Sequence, residues 1–587
     1  MRSARLWDGT RAFYVALALT AVFTTTFARG GEATAVVTGF VTSNGAPLAH
    51  MRVASDEIET VTDERGEYRL LVTPGRRFVR VGTSKRVFDI GAGETARFDF
   101  GMQVSSELDA IPRKTDDPEH AMVDLRLSAD EMAFLPLGRT LSSIAELLPA
   151  ALQPGSTVFV DGVPLPLYAV QSPIDFQGSV NILTIARPVE FGHAIGGVLL
   201  ATTPVRSGTH ASVFAYWQPK TSTTNLFGTQ RSRHWDAGFT LIRPLTERLW
   251  LFAGYGRLTD DTEFLGPGTQ RFRSSTNALI AKLDLTATPS VKVIAEGFGD
   301  PGKTTFDSSD FTPGVFHTGS ASGSLRAFGA GSRWVSEGGV SHSSLTNLSF
   351  FSPHVTRAHA DVQRLLGAHV LRFGAESSRT SGQLRPTGIV MPFHLSETNS
   401  AFYAADTWHP SDNLVINAGV RHEESWLPRT AVIWQAAPKL RLFTTWGRYA
   451  DDPPFGSTNL PLEMSEASAG VELSHYLVTG SARLLRRTIE GQTLNGVLLE
   501  AHQRVAFGRF NVFYLFSDRE HRHQLTASCG VPFGRFDFGT IIRWSSGDFR
   551  TDIHLGVPID KVSLVADVMN VVNGDARAVR FGIRGAL

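Results

Sequence analysis

From about residue 207 to Leu587 the chain alternates apolar and polar residues with a period of two, through one strand-length segment after another. In one segment Leu414, Ile416, Ala418 and Val420 share a face, and Asn417, Gly419 and Arg421 share the other. In another, Phe536, Phe538, Thr540, Ile542 and Trp544 oppose Arg535, Asp537, Gly539 and Arg543. Leu371, Phe373 and Ala375 stand against Arg372, Gly374 and Glu376, and Val579, Phe581, Ile583 and Leu587 stand against Arg580 and Arg584. Successive side chains of a strand point to opposite faces, so each segment has one greasy and one wet side. A soluble sandwich alternates in this way, and so does a membrane barrel with lipid outside and water or a plug within. Sustained over hundreds of residues, the pattern predicts an antiparallel transmembrane β-barrel of roughly 22 strands. A barrel that wide is an open hole unless another part of the chain fills it.

Composition agrees with a β-rich chain of tight turns: Gly occurs 55 times and Phe 39 times in 587 residues. With 56 basic and 56 acidic residues the net charge is zero, so no global field favours nucleic acid. Cys529 is the single cysteine, which excludes an internal disulfide and a cysteine-based metal cluster. Arg2, Arg5 and Arg11 precede the apolar run "AFYVALALTAVF" and the small-residue "TTTFARGG", so residues 1–28 read as an export signal cleaved after Ala28. That run is shorter than the roughly 20 apolar residues of a helical span, and no other segment approaches one. Membrane residence would therefore require a closed barrel, because an open sheet edge in lipid leaves backbone groups unpaired.

Residues 33–102 form short alternating runs separated by "SNGAP", "DERGE" and "TPGR", whose Gly, Pro, Asn and Asp set turn dihedrals. They predict a small antiparallel β-sandwich. Gly39 and Val41, Gly45 with Pro47-Leu48, Thr62-Asp63, Gly66 with Tyr68, and Pro74-Gly75 make the segment resemble the carboxypeptidase regulatory-like domain, a non-catalytic module with a carbohydrate-binding-like fold. "GAGETA", Gly91 to Ala96, satisfies a dinucleotide fingerprint as a string, yet strand alternation follows it where a helix N-terminus is needed. Residues 103–127 are polar and read as a linker.

The next segment, 128–206, carries "FLPLGRTLSSIAELLP", with Leu141, Ile144, Ala145 and Leu148 at helical spacing. The strand "FVDGVPL" with its Asp161-Gly162 turn comes next, and then "EFGHAIGGVLLATT". Taken alone, the last stretch reads as an apolar hairpin whose glycines, at 192, 196 and 197, permit close packing or unusual dihedrals. Together these elements resemble the plug of TonB-dependent outer-membrane receptors that carry a carboxypeptidase regulatory-like domain in front. The matching residues are Leu135-Pro136, Gly138-Arg139, Asp161-Gly162 and Gly192, Gly196 and Gly197. In the barrel, "SAFYAADTWHPSDNLVINAGVRHE", "LPRTAVIWQAAPKLRLFTTWGRYADDPPF" and "DVMNVVNGDARAVRFGIRGAL" resemble that family's strand pairs.

The resemblance implies a monomeric transporter in the Gram-negative outer membrane with its N-terminal domain in the periplasm. It implies insertion by the barrel assembly machinery, a TonB-type energy-coupling partner, and uptake of a scarce small ligand such as a siderophore, oligosaccharide or peptide. Three features depart from the family. The plug segment is short, the connections between barrel strands are short, and no clear TonB box stands out, Ala121 to Leu125 being one candidate. The last residue is Leu587 where the family commonly ends in an aromatic. These departures leave open a structural or surface-interaction barrel descended from such receptors, and the N-terminal sandwich leaves open a secreted carbohydrate-binding protein.

Enzyme readings lack support. The sequence holds no His-Glu-x-x-His helix, no Gly-x-Ser-x-Gly elbow and no phosphate loop, and nothing calls for a cofactor or metal. "RHEES" (421–425) and "DREHRHQ" (518–524) gather His with carboxylates at strand ends, where a solvated rim is expected. Cys529 reads as a small strand residue, and Asn347-Leu348-Ser349 as an accidental glycosylation string. Trp408, Trp426, Trp434, Trp446 and Trp544 are expected to form interfacial girdles, with ligand contact at the loops as the alternative.

Overall fold

In the computed structural model, strand pairing runs unbroken from His210–Asn225 to Ala578–Ala586. These two strands pair with each other, Ser212 opposite Ala586 and Trp217 opposite Phe581, so the sheet is a closed antiparallel barrel. Val291–Gly299 and Gly302–Ser308 are two pieces of one stave, since both lie between Gln270–Thr288 and Gly314–Gly331. Counted once, they give 22 strands. The stave breaks at Asp300-Pro301, where proline cannot donate to the ladder, and the Asp300 carboxylate accepts from the Ser320 hydroxyl at 2.6 Å across the gap. The structure describes residues 35–102 and 125–586, apart from connections of up to ten residues, the longest being 452–461.

The barrel is apolar outside and polar inside. Leu484, Leu473, Phe373 and Trp426 are more than half exposed on the outer face, while Arg421, Arg429 and Glu466 are buried within. Such an inversion suits lipid and would be costly in water. Among the described residues no helix is long and apolar enough to cross a membrane. At the end that carries both barrel termini the connections are two residues long apart from 245–248, and at the other end they range from two residues to ten. Crossing takes about 9–11 residues. The first four strands, His210–Asn225, Gly228–Pro244, Leu249–Leu265 and Gln270–Thr288, have 16, 17, 17 and 19. Leu414–His422 and Val562–Met569 have only 9 and 8. The wall is therefore taller on one side.

Inside the barrel lies a five-stranded sheet in the order Leu125–Ser128, Ser179–Leu183, Gly197–Thr202, Ser156–Val160, Val163–Leu165. Gly197–Thr202 is buried at all six positions, antiparallel to Ser179–Leu183 and parallel to Ser156–Val160. The stretch that taken alone reads as a hairpin is thus a central strand at the end of the luminal domain, and a run apolar on both faces is the mark of such a strand. The linker expected to reach 127 ends by Leu125, which already pairs with Ile182. The helical spacing after Arg139 yields a 3-10 helix, Leu141–Leu147, following a short α-helix, Ala129–Ala133. One core joins this sheet to the wall, uniting Leu127, Leu141, Ile144, Phe176 and Ile182 with Phe214, Phe252, Ile280, Phe513 and Ile541.

The N-terminal unit is separate. One sheet orders Glu59–Val61, Arg52–Ser55, Gly75–Val81 and Ser84–Ile90, and the other centres on Ala35–Ser43. They share a core of Val37, Val53, Tyr68, Leu70, Val79 and Val81. Ala35–Ser43 pairs parallel with Thr95–Arg97 and Phe100–Met102, so the expected sandwich is mixed and not wholly antiparallel. Strand Thr95–Arg97 occupies the place where a dinucleotide fingerprint would need a helix.

Candidate functional site: the interface of luminal sheet and wall

The leading segment of the luminal domain is fixed by arginines. The Gly138 carbonyl accepts from the Ser143 hydroxyl at 2.8 Å. The Arg139 guanidinium, buried, donates to Asp236 of the wall at 3.0 Å, pairs with Asp175 of its own domain, and lies 3.7 Å from the centre of the Tyr216 ring. Burial disfavours the Arg139 cation, but the two carboxylates outweigh it and hold the group above the ordinary arginine value. Asp175 is shared with Arg584 of the wall at 3.3 Å. Arg580 donates at 2.6 Å both to the Leu137 carbonyl and to Asp567, which also takes His554 at 2.6 Å. A small, partly open recess of about 40 Å³ lies here, lined by Met132, Arg139, Tyr216, His554, Asp567 and Arg584.

The turn residues Asp161 and Gly162 both have positive φ, 49° and 84°, the signature of a two-residue type I′ hairpin turn. The Asp161 carboxylate accepts from the Thr203 amide at 3.1 Å, the Thr203 hydroxyl at 2.5 Å and the wall's Lys282 ammonium at 2.8 Å. Burial tends to raise its pKa, but Lys282 and Arg326 prevail and hold it at about 2. Sequence reasoning assigned Asp161 to the turn, and the structure adds that it is the luminal anchor for Lys282.

The third contact is a clamp on residues 187–191. Arg429 donates to the carbonyls of Arg187 at 3.2 Å and Phe191 at 3.0 Å, and to that of Pro188. Arg421 reaches the carbonyls of Val189 and Glu190 at 3.5 and 3.4 Å, and it pairs with Glu376 and Glu423. Arg372 meets the Glu190 carboxylate at 2.5 Å, and Arg487 the Thr184 carbonyl at 2.6 Å. Arg187 itself approaches Glu466 at 3.6 Å, and its guanidinium lies 4.2 Å from the Tyr449 ring, with that of Arg429 at 4.5 Å. Peptide carbonyls buried without ladder partners are expensive, and these wall cations satisfy them.

Of the glycines singled out in sequence, Gly192 sits against this clamp: a Cβ there would collide with Arg421 and Glu423. Gly197 opens the central strand with φ +130°, in the region that favours glycine. Gly196 lies outside the described residues, as do 121–124 of the candidate TonB box. Sequence reasoning missed Arg187, Glu190, Arg372, Arg421, Arg429, Lys282 and Arg487. Arg421 was expected on a solvated rim, but its side chain is fully buried and serves the clamp. The alternation that placed it opposite the lipid face was the signal. His422 of the same cluster lies between Phe402 and Trp426, with ring centroids at 4.8 and 4.6 Å. Among the described residues no group of three or more His, Cys, Asp or Glu is placed to hold a metal. Trp408, Trp426, Trp434 and Trp446 are exposed on the outer face.

Residues 208–473 match the model of the TonB dependent receptor-like β-barrel family. No curated protein matches the chain in sequence. Solved structures share the fold at low identity. The siderophore receptor PirA from Pseudomonas aeruginosa aligns with TM-score 0.64 at 14% identity, covering 79% of this chain and 99% of its own. The ferric enterobactin receptor PfeA of the same organism, in complex with enterobactin, gives 0.67 at 12%, covering 80% and 100%. P. aeruginosa FpvA bound to a heterologous pyoverdine gives 0.62 at 10%, covering 79% and 86%.

Proposed function

The barrel belongs to the TonB-dependent receptor-like family over residues 208–473, and from that premise we propose that the chain is an outer-membrane uptake receptor whose luminal domain is a plug. The fold and the family are those of transport proteins and not of enzymes. In this reading a TonB-type partner pulls the plug from the periplasm, where the N-terminal sandwich also lies, and a scarce ligand passes along the opened wall. The ligand is a siderophore, an oligosaccharide or a peptide; the receptors similar in fold are named for siderophores. The barrel assembly machinery inserts the chain as a monomer.

One observation carries the proposal. The luminal domain shares apolar core with the staves that flank the barrel's closure, including Phe214, Phe252 and Val565, but meets the far staves through arginines on carbonyls and carboxylates. Polar contacts exchange for water at little net cost, whereas an apolar seam does not. A pulled plug would part from the wall at the far staves and stay seated beside the closure, where apolar core adds to the Arg139, Arg580 and Arg584 contacts. The short connections and the small plug favour a second reading, a barrel retained for surface interaction. Uptake of radiolabelled ferric chelates, maltooligosaccharides and peptides in cells with and without the protein, each with and without the energising partner, separates the two. Uptake of one probe that requires both is expected, and uptake of all three that requires neither sinks the transport reading.

A further inference from the structure

On the outer face of the first four staves, the apolar band ends in an aromatic row. Trp217 and Trp235 face each other across the ladder, Trp217 stacks on Phe581 with ring centroids 6.4 Å apart, and on the third strand Tyr255 lies opposite Phe239 with ring centroids 6.2 Å apart. Below the row the outward positions are apolar: Val213 and Ala215, Leu241 and Phe239, Leu251 and Ala253, Leu285, Leu283, Ala281 and Leu279. Just above it, on the same face, they become basic: Lys220, Arg231, Arg233, Arg257, Arg271 and Arg273. The strands here are long enough to raise these residues beyond the crossing length.

The cations outnumber their local partners. Asp261 alone collects Arg233 at 3.2 Å, Arg271 at 2.6 Å and Arg273 at 3.9 Å, and Glu263 takes Lys220 at 2.8 Å. The next stave adds one charge of each sign, Lys303 and Asp307. Among the described residues of these four strands six basic groups face two carboxylates, and the side chains of Lys220, Arg233 and Arg273 are each more than half exposed. From Leu241 to Arg233 the second strand rises eight residues, roughly 27 Å along its axis, or about 20 Å of depth at a tilt of about 40°. The basic cluster thus stands where the hydrocarbon gives way to headgroups, at the end opposite the barrel termini.

We propose that this patch binds the phosphorylated headgroup of a glycolipid in the outer leaflet, with its acyl chains against the apolar band beneath. Two complementarities point to a lipid and not to a soluble anion. Phosphate oxygens match guanidinium groups on a surface with four uncompensated positive charges, and the aromatic row and leucines directly below supply contact that only a ligand with hydrocarbon uses. The inference rests on the outer-membrane reading of the chain but is independent of transport. A barrel that moves no ligand would still hold this lipid.

The test uses the purified full-length chain in detergent micelles, with bisphosphorylated lipid A and its dephosphorylated form as probes and native mass spectrometry as the readout. Retention of the bisphosphorylated form at least about ten-fold above the other is expected, with the ratio falling in high salt. Each basic side chain at a charged lipid surface contributes about five-fold in affinity, so Arg233→Ser with Arg273→Ser lowers retention by roughly 25-fold. Arg448→Ser, on the outer face elsewhere in the barrel, leaves it unchanged. Heat-modifiable mobility in gels confirms that each variant is folded, and Arg231→Ser with Arg257→Ser replaces the first pair if it is not. Equal retention of the two lipids by the wild type, or wild-type retention by the folded double variant, overturns the proposal. So does full competition by the phosphorylated disaccharide lacking acyl chains. Cell fractionation reports separately on outer-membrane location.

Discussion

Replacing Asp161 with Asn should loosen the luminal domain while leaving the barrel intact. In the wild type the Asp161 carboxylate is the counter-ion of Lys282 at 2.8 Å, with both groups buried. Its displacement from 3.8 to about 2 corresponds to about 2 kcal/mol of folded-state preference for the charged form. Removing the charge also takes the hydrogen-bonded counter-ion from the buried Lys282 ammonium, which keeps the Thr203 hydroxyl at 2.9 Å, and losing one partner of a buried pair costs about 3–5 kcal/mol. For a domain this small, with a urea dependence of about 1 kcal/mol per molar, the midpoint of luminal unfolding should fall by roughly 3 M. Hydrogen exchange of the central strand Gly197–Thr202 in increasing urea reads this, because that strand opens only with its sheet. The companion Asp161→Asn with Lys282→Met should recover most of the loss, since no orphan charge remains. The sign with pH follows from the depressed value: the contribution is complete above about pH 5 and is lost as pH falls through the folded-state value near 2. A single variant whose exchange midpoint lies within about 0.5 M of wild type would refute the anchor.

Two further outcomes test the packing and the membrane face. Gly192→Ala places a methyl group where Arg421 and Glu423 meet, so the clamp on 187–191 must shift; the expected cost is about 1–3 kcal/mol, seen as faster exchange at the Arg187 and Phe191 amides with barrel mobility in gels unchanged. Leu484→Arg puts a charge on the most exposed apolar outer position, at 65%, and should reduce the folding free energy into lipid vesicles by about 2–4 kcal/mol, measured by urea titration of heat-modifiable mobility.

The barrel was legible because its rule is local. Alternation through Leu414, Ile416, Ala418 and Val420 assigns lipid and lumen faces one residue at a time, and short connections fix antiparallel order. The type I′ turn at Asp161-Gly162 was legible for the same reason, being set by two adjacent residues. The clamp was not. Arg429 and Pro188 are separated by 241 residues, and nothing in "RPVEF" marks its carbonyls as lacking ladder partners until the sheet is built around them. The stretch Phe191–Thr203 reads as a hairpin when taken alone for a related reason: a central strand and a glycine-bearing apolar hairpin look alike until both neighbours of Gly197–Thr202 are known.

The small luminal domain and the arginine-rich inner wall are two sides of one solution. A wide barrel needs its interior filled, and a short chain cannot fill it with side-chain packing alone. Arginine spans the gap with an apolar stem and delivers up to five donors at its tip. Arg429 accordingly serves three carbonyls and Arg421 two, each from a wall position where a shorter residue would leave a void. The irregular segment 187–191 can therefore stay irregular, because its polar backbone is completed by the barrel and not by its own sheet. Such a segment has its native partners only while it is seated, so withdrawing it exposes both carbonyls and cations to water together. Rehydration of both surfaces offsets the broken hydrogen bonds and ion pairs, which is the condition a repeatedly displaced stopper must meet.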